Sequence, residues 1–175
     1  MKPAVLIGPR AAGKTSVARS LGELLGVDWV DLDDLVLERL TVDSATEAFA
    51  QLGEAAWRAA ETAALERVLA DPPSIIAAGG GIVCEAVNRE RLARASHVRV
   101  IWLDVSSDVS RDRLRAGAGD RPALTGVGDA ADEAVAVAVA RRPWYEQAAG
   151  DRVDADGSIA DVTQAVRVIM NPTVR

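Results

Sequence analysis

The strongest chemical signal in the chain is a glycine-containing run close to its N-terminus. Residues 8–15 read Gly-Pro-Arg-Ala-Ala-Gly-Lys-Thr and match the pattern G-x-x-x-x-G-K-[ST] at every fixed position. A loop of this kind folds its backbone N–H groups around phosphate oxygens, while the lysine reaches the β- and γ-phosphates and the hydroxyl ligates Mg²⁺. We therefore predict a nucleotide-binding loop in which Lys14 and Thr15 have these two roles.

A second candidate for chemistry is a pair of carboxylates, Asp31 and Asp33, at the end of a predicted strand. Residues two apart on a strand point the same way, so we expect both carboxylates beside the phosphate loop of a neighbouring parallel strand. There the pair suits one carboxylate that is linked to the metal and one that orients or deprotonates a hydroxyl. Ordinary turn chemistry is the alternative, with Asp34 as the expected helix cap.

Length and charge exclude several classes of nucleotide-binding protein. The 175 residues contain no Asn-Lys-x-Asp segment, which a GTPase needs to read guanine, and they are too few for a helicase or a transporter ATPase. A net charge of −6 at pH 7 argues against a nucleic acid or an anionic membrane as the partner. What remains is a kinase that acts on a small molecule or a nucleotide.

The elements that must position these residues alternate between strands and helices. Short apolar runs predict strands at residues 4–7, 29–33, 75–78, 98–103 and 152–155. Helical spacing of apolar residues predicts helices at 14–25, 35–69, 85–95, 106–115, 129–147 and 159–170. We expect interruptions near 41–44, at Gly53 and at Pro143, and a mobile loop at 116–122. Such alternation is typical of an α/β fold with a parallel sheet between two layers of helices.

The chain resembles the shikimate kinases, from Leu6 to about Asp156. The resemblance is carried by the phosphate loop, by Asp31-Leu32-Asp33, by Phe49 and by residues 53–61, which read Gly-Glu-Ala-Ala-Trp-Arg-Ala-Ala-Glu. It continues with three glycines at 79–81, Arg-Pro-Ala-Leu at 121–124 and Arg-Arg-Pro-Trp-Tyr at 141–145. No single later motif is specific, but their order and spacing together are.

This resemblance implies a three-layer P-loop fold with a five-stranded parallel sheet in the order 2-3-1-4-5, as in nucleoside monophosphate kinases. One domain would span residues 1–175, with an acceptor-binding segment at about 33–61 and a lid at about 115–126. The implied reaction is transfer of the γ-phosphate of ATP to the 3-hydroxyl of shikimate, with Mg²⁺ as cofactor. A related kinase for aminoshikimate, gluconate or another carboxylated polyol, and a nucleotide-binding regulatory protein without transfer chemistry, are the alternatives.

The resemblance also implies which residues surround the nucleotide. Those that bind it would be Gly8, Ala11, Ala12, Gly13, Lys14, Thr15 and Ser16. Asp31 would hold Mg²⁺ through a water molecule, together with Thr15. Arg121 would be the lid arginine that closes on the phosphates and, with Lys14, would be catalytic. Arg115 would lie over the adenine, with Arg113 as the neighbouring candidate.

On the acceptor side the resemblance implies a carboxylate clamp, a hydroxyl-binding carboxylate and an apolar wall. The residues are Arg58 and Arg141 for the clamp, Asp33 as the catalytic group on the acceptor hydroxyl, Gly79, Gly80 and Gly81 against the ring, and Phe49 and Trp57 for the wall. An arginine fork matches a carboxylate with two hydrogen bonds, and a glycine lets the backbone itself contact a ligand. An exposed ion pair with Glu61 is the alternative for Arg58.

Several positions depart from the usual pattern of the family, and three of them bear on the ligands. Ala11 stands where the phosphate loop usually has a further glycine, which restricts the backbone there and bears on the affinity for ATP. Val42 replaces a usual glycine and Ala45 a usual larger aliphatic residue in the acceptor-binding segment. These two differences bear on the identity of the acceptor.

We expect a monomeric protein of the cytoplasm that binds neither a membrane nor nucleic acid. Cys84 is the one cysteine, so the chain forms no internal disulfide, as fits a reducing compartment, and we expect it to be a small buried hydrophobe. No uncharged apolar stretch reaches the roughly 18 residues of a membrane span, and the apolar run at 4–7 is too short for a secretory signal.

Overall fold

The computed structural model describes residues 1–117 and 129–171. The strands of these ranges are β1 (Ala4–Ile7), β2 (Trp29–Asp31), β3 (Ile75–Ala77), β4 (Arg99–Asp104) and β5 (Asp151–Asp154). The helices are α1 (Lys14–Leu25), α2 (Leu32–Leu40), α3 (Ala45–Ala70), α4 (Ala86–Arg94), α5 (Ser107–Arg115), α6 (Ala130–Ala148) and α7 (Ile159–Met170). Among the helices of these ranges, none is long and apolar enough to cross a membrane.

The five strands form one parallel sheet in the order β2-β3-β1-β4-β5, which confirms the expected order. In the centre, Val5 of β1 lies opposite Ile76 of β3 and Val100 of β4. Because the strands are parallel, their carboxyl ends all lie at one edge of the sheet. Ligands of open α/β sheets bind at this edge, and the predicted catalytic segments follow β1, β2 and β3 there.

Two apolar cores cover the two faces of the sheet and make the fold three-layered. Val5 and Ile7 of β1 face the core that also contains residues of α2, α3, α4 and α6. Ala4 and Leu6 face the opposite core, which contains residues of α1 and α7. All four side chains are fully buried, as expected for a central parallel strand.

The boundary between β2 and α2 differs from the prediction. Asp31 ends the strand, and its Oδ1 accepts a hydrogen bond from the backbone N–H of Asp33 at 2.9 Å. Because this carboxylate caps the first turn, the helix begins directly at Leu32. The expectations that Asp33 lies on the strand and that Asp34 is the cap were therefore wrong.

The predicted interruptions have mixed outcomes. Thr41, with φ 56°, ends α2, and Gly53, with φ 80° and ψ 167°, kinks α3, so both of these predictions are confirmed. The break at Pro143 is wrong, because α6 continues through it to Ala148. A proline removes only the bond to the carbonyl four residues earlier, and Val139, which carries that carbonyl, is exposed.

Candidate active site

The phosphate loop joins β1 to α1 and turns through residues with positive φ. Gly8 has φ 148°, Ala11 has φ 60° and Gly13 has φ 88°. A Cβ at Gly8 would lie 2.6 Å from the carbonyl oxygen of Leu103, so only glycine allows the loop to pack this closely on β4. Gly13 is the N-cap of α1 and provides no capping side chain, which leaves the positive end of the helix facing the loop.

Ala11 adopts the left-handed conformation that glycine adopts without steric cost. An alanine in this conformation costs about 1–2 kcal/mol. Its carbonyl oxygen accepts a hydrogen bond from Nη1 of Arg113 at 3.2 Å. The backbone at Ala11 therefore has a conformation that is typical of glycine, although the residue is an alanine.

The Lys14 side chain folds back over the phosphate loop. Its Nζ donates hydrogen bonds to the carbonyl oxygens of Gly8 at 2.9 Å and Pro9 at 2.8 Å. The ammonium group is therefore held at the loop by backbone atoms, beside the N-terminus of α1. An anion in the loop would meet both this charge and the helix dipole.

Thr15 and Asp31 place two oxygen ligands next to the phosphate loop. The Thr15 hydroxyl donates to Oδ2 of Asp31 at 2.7 Å. Burial raises the pKa of Asp31, although the hydrogen bonds from Thr15 and from the N–H of Asp33 act in the opposite direction. A hydroxyl and a carboxylate are ligands that Mg²⁺ accepts, and it takes its remaining ligands from water and phosphates. The described residues contain no cluster of three or more His, Cys, Asp or Glu side chains that could hold a metal by itself.

Asp33 lies at the loop that follows β3. This glycine loop consists of residues 79–81. A Cβ at Gly79 would lie 2.5 Å from Oδ1 of Asp33 and 2.6 Å from Oε1 of Glu61. The absence of a side chain at Gly79 therefore lets both carboxylates approach the end of β3. Although it lies on a helix and not on a strand, Asp33 is at the expected edge of the sheet.

Arg58 is held between two carboxylates of its own helix. Its Nη1 donates to Glu61 at 2.5 Å, and its Nη2 donates to Glu54 at 2.9 Å. The side chains of Arg58 and Glu61 are 11% and 3% exposed, whereas Glu54 is 62% exposed. The ion pair of Arg58 with Glu61 therefore exists, but it is buried, and the alternative of an exposed pair is wrong.

Burial and the charge of the partner act in opposite directions on the pKa values of Arg58 and Glu61. Burial raises the pKa of Glu61, although Arg58 acts in the opposite direction. Burial alone would lower the pKa of Arg58, but the Glu61 carboxylate raises it above the ordinary value. The guanidinium is thus fully charged and fixed in orientation before any ligand binds.

Arg58 and Arg141 both reach the glycine loop, although they lie on different helices. A Cβ at Gly81 would overlap the guanidinium of Arg58. Arg141 donates from Nη1 to the carbonyl oxygen of Gly80 at 3.3 Å, and the Tyr145 hydroxyl donates to the same oxygen at 2.6 Å. The fold therefore brings the two predicted clamp arginines to one loop.

Phe49 and Trp57 stack on each other, on either side of the kink in α3. Their ring centroids are 5.5 Å apart with an interplanar angle of 27°. Trp57 is 2% exposed and belongs to the core, whereas Phe49 is half-buried and packs against that core. Phe49 is therefore the more accessible part of the predicted apolar wall.

The two candidate adenine arginines point in different directions. Arg115 is exposed and pairs with Asp129 at 2.7 Å and with Asp132 at 3.3 Å. Arg113 instead reaches the phosphate loop and donates to the carbonyl oxygen of Gly157 at 2.9 Å. Of the predicted lid, Arg121 and everything from residue 118 onward lie outside the described residues.

Residues 10–170 match the protein-family model described as Shikimate kinase. The chain belongs to the shikimate kinase family. A shikimate kinase of Symbiobacterium thermophilum is 40% identical over 164 residues, which cover 93% of this chain and 92% of the relative. One of Nitratidesulfovibrio vulgaris is 36% identical, over 94% of this chain and 93% of the relative.

A solved shikimate kinase of Acinetobacter baumannii, in complex with shikimate, has the same fold. It superposes with a TM-score of 0.85 at 26% identity and covers all of this chain and 96% of its own. Membership of the family makes the protein an ATP-dependent kinase of a small molecule. The family resemblance in the sequence is therefore confirmed.

The role of Glu54, the burial of Glu61 and the contact of Tyr145 with Gly80 were not predicted from the sequence. Glu54 lies four residues before Arg58 and Glu61 three residues after it, a spacing that places all three on one helix face. That signal indicates the contacts but not the burial of Glu61. For the bond from Tyr145 to Gly80 the sequence carries no signal, because the two residues lie on separate elements.

Proposed function

We propose that the protein transfers the γ-phosphoryl group of ATP to the 3-hydroxyl of shikimate. The observation that carries the proposal is the meeting of Arg58 and Arg141 at the glycine loop, with Asp33 beside it. Two arginines with two-pronged geometry suit a flat carboxylic acid. The solved relative with bound shikimate supports the same acceptor.

In this function the acceptor is held by charge at one end and by shape at the other. Arg58 and Arg141 bind its carboxylate, and Glu61 keeps the Arg58 guanidinium in the required plane. Residues 79–81 contact the ring and its hydroxyls through the backbone. Phe49, supported by Trp57, forms the apolar wall beside the carbocycle.

Asp33 takes the proton of the acceptor hydroxyl during transfer. The acceptor oxygen forms a bond to the γ-phosphorus as the bond to the β,γ-bridging oxygen breaks, and ADP leaves. Lys14 and the N–H groups of residues 8–16 balance the charge on the phosphates, and Arg121 completes this set from the lid. Each of these groups acts mainly by position and charge.

Thr15 and Asp31 fit Mg²⁺, the first as a direct ligand and the second through water, since both offer oxygen atoms beside the loop. There the ion would supply positive charge that offsets the negative charge developing on the phosphates during transfer. For the adenine we propose Arg113 in place of Arg115, because Arg113 is the one that reaches the phosphate loop.

Val42 and Ala45, the two departures from the family pattern in the acceptor-binding segment, lie in or against the apolar core and not among the charged groups proposed to bind the acid. Ala45 is 7% exposed and part of the core, and Val42 is half-buried against that core. These two departures from the family pattern change the packing below the acceptor segment. The groups proposed to bind the acid, Arg58, Arg141 and Asp33, remain in place.

The test is an ADP-release assay with shikimate, aminoshikimate, quinate and gluconate, each at saturating ATP and Mg²⁺. We expect the highest kcat/KM for shikimate. Lys14→Ala should abolish turnover, and Lys2→Ala, which alters the only other lysine, should not. A preference for another acid would contradict the shikimate assignment, and tight binding of an acid without turnover would favour a regulatory protein.

We further propose that the protein acts as a monomer in the cytoplasm. Its one cysteine, Cys84, is half-buried and therefore less enclosed than the small buried hydrophobe that we expected. Burial raises the pKa of its thiol, which keeps it protonated and favours a structural role. Light scattering at micromolar concentration, with and without reductant, tests the monomeric state.

A further inference from the structure

Helix α6 is attached to two separate parts of the sheet edge by consecutive arginines. Arg141 contacts Gly80 of the glycine loop, and Arg142 contacts Asp104, the last residue of β4. Consecutive residues of a helix point about 100° apart, so the two side chains leave α6 in different directions. Any shift of Arg142 must therefore also move the point from which Arg141 starts.

The contact between Arg142 and Asp104 has the geometry of a strong ion pair. Nη1 donates to Oδ1 at 2.6 Å and Nη2 donates to Oδ2 at 2.8 Å, which uses both prongs of the guanidinium. The Asp104 side chain is 8% exposed, so it depends on these partners for its charge. The guanidinium carbon also lies 5.0 Å from the ring centroid of Trp102. Arg142 is thus fixed in orientation.

Arg141 is held less firmly than its neighbour. Its hydrogen bond to Gly80 is 3.3 Å long, beyond the usual range of about 2.7–3.2 Å for an N–H donor, and it also contacts the Tyr145 hydroxyl. Pro143 removes one backbone hydrogen bond from the same turn of the helix. The position of Arg141 therefore depends on what holds the helix around it, namely the ion pair of Arg142 and the hydroxyl of Tyr145.

We propose that Asp104 and Arg142 are positioning residues, which set Arg141 for the carboxylate of the acceptor. This inference rests on the proposed function, in which Arg141 is half of the clamp. The ion pair acts through Arg141, and neither Asp104 nor Arg142 is among the residues proposed to bind the nucleotide or the acid. It links the helix that carries Arg141 to the end of β4, which lies next to β1, the strand before the phosphate loop.

The chain contains a matched control for this role. Arg152 pairs with the same carboxylate of Asp104, and its guanidinium carbon lies 5.0 Å from the same Trp102 ring. Arg152 lies on β5 and not on the helix that carries Arg141, and its side chain is 61% exposed against 43% for Arg142. Substitution of either arginine removes a positive charge beside Asp104, but only substitution of Arg142 removes the contact between Asp104 and α6.

The experiment compares Arg142→Met, Asp104→Asn and Arg152→Met, each with shikimate and ATP varied separately. We expect Arg142→Met to raise the KM for shikimate about tenfold, which corresponds to the loss of one charge-assisted hydrogen bond. The KM for ATP should stay within about twofold of the wild-type value. Asp104→Asn should act in the same direction, and Arg152→Met should stay within about twofold for both substrates.

A second arm tests whether the effect passes through Arg141. In an Arg141→Met background, the further change Arg142→Met should leave the KM for shikimate unchanged, because the group it positions is already absent. Arg142→Lys, which keeps the charge and is milder for folding, should give an intermediate KM. Additive effects in the double variant, equal effects of Arg152→Met, or a matching rise in the KM for ATP would each overturn the proposal.

A third arm separates this proposal from the proposed function. Amide hydrogen exchange of residues 141–148 in the ligand-free protein should be faster in Arg142→Met than in Arg152→Met, whatever the acceptor is. Wild-type protein that fails to phosphorylate shikimate but shows this difference contradicts only the proposed function. Equal exchange in the two variants contradicts the positioning role.

Discussion

The guanidinium of Arg58 lies directly against the Cα atom of Gly81, in the space that a side chain at position 81 would fill. Glu61 and Glu54 hold the guanidinium there from the other side. A glycine is required at this position because of a close approach, and not because of its backbone angles. The clamp and the glycine loop are therefore two halves of one packing arrangement.

Gly81→Ala should raise the KM for the acid by at least about tenfold, because the new Cβ displaces a charge-assisted contact. The KM for ATP should stay near the wild-type value, and the fold should persist because a long side chain can move aside. Separate titrations of the two substrates measure this. Gly150→Ala is the matched control, since the nearest atom to a Cβ there lies 3.8 Å away. Equal effects at both positions would show a loss of stability in place of a displaced clamp.

Asp33→Asn should lower kcat by about two to four orders of magnitude and change the KM for the acid little. An amide can still hydrogen-bond a hydroxyl, but it accepts the proton poorly. Steady-state rates at saturating substrates measure the effect. Asp34→Asn, on the exposed side of the same helical turn, should have no comparable effect. A change in KM alone would make Asp33 a binding residue only.

Arg58→Lys should raise the KM for the acid about 10- to 150-fold, since lysine keeps the charge but loses the two-pronged geometry. Binding of ATP should be almost unchanged. Arg94→Lys is the control, because Arg94 forms an exposed pair with Glu90 and is 80% exposed. An unchanged KM for the acid in Arg58→Lys would remove the carboxylate clamp from the proposal.

Glu61 should make the stability of the protein depend on pH. Burial raises its pKa in the folded protein above the ordinary value of 4.5. As the pH rises from 4.5 towards the raised pKa of the folded protein, the unfolded chain loses this proton first, so the free energy of unfolding falls. Glu61→Gln lacks this dependence. The stability of wild type relative to the variant should therefore decline from about pH 4 upward and then level off.

Urea denaturation of both proteins across this pH range measures the difference. A relative stability that rises with pH would show that the attraction of Arg58 outweighs burial and that the folded pKa of Glu61 is lowered. A flat difference would show that neither dominates.

Ala11→Gly should stabilise the protein by up to about 1 kcal/mol, because it relieves a left-handed alanine at φ 60°. The greater freedom of glycine in the unfolded chain offsets part of this gain. Ala12→Gly is the control: Ala12 is 1% exposed and lacks a positive φ, so its loss should destabilise the protein. Chemical denaturation gives both values, and a destabilised Ala11→Gly would contradict the strain argument.

The phosphate loop could be predicted because it depends on local sequence, whereas the order of the strands was implied by the family resemblance and not by any local pattern. The run before Gly8 is apolar throughout, and the loop pattern fixes its own conformation. The position of Asp33 could not be predicted in the same way, since the capping bond of Asp31 decides where the strand ends and the helix begins.

The choice between Arg113 and Arg115 also lay beyond the sequence. Two residues apart on a helix, they point to different sides, and only the packing of α5 beside the phosphate loop decides which one reaches it. The burial of Glu61 is similar. Its spacing from Arg58 is visible in the sequence, but the depth of the pair depends on how α3 packs against the sheet.

The paired state of Arg58 also governs how the acid arrives. From a distance, an anion meets a chain with a net charge of −6, and Glu54 and Glu61 cancel much of the field of Arg58. Arg58 therefore contributes little long-range attraction for the acid, which gains its ion pair with this residue only on contact. Because salt screens the repulsion from the net negative charge over about 8 Å at physiological ionic strength, we expect added salt to slow association less than it would in an enzyme with an unpaired cationic entrance.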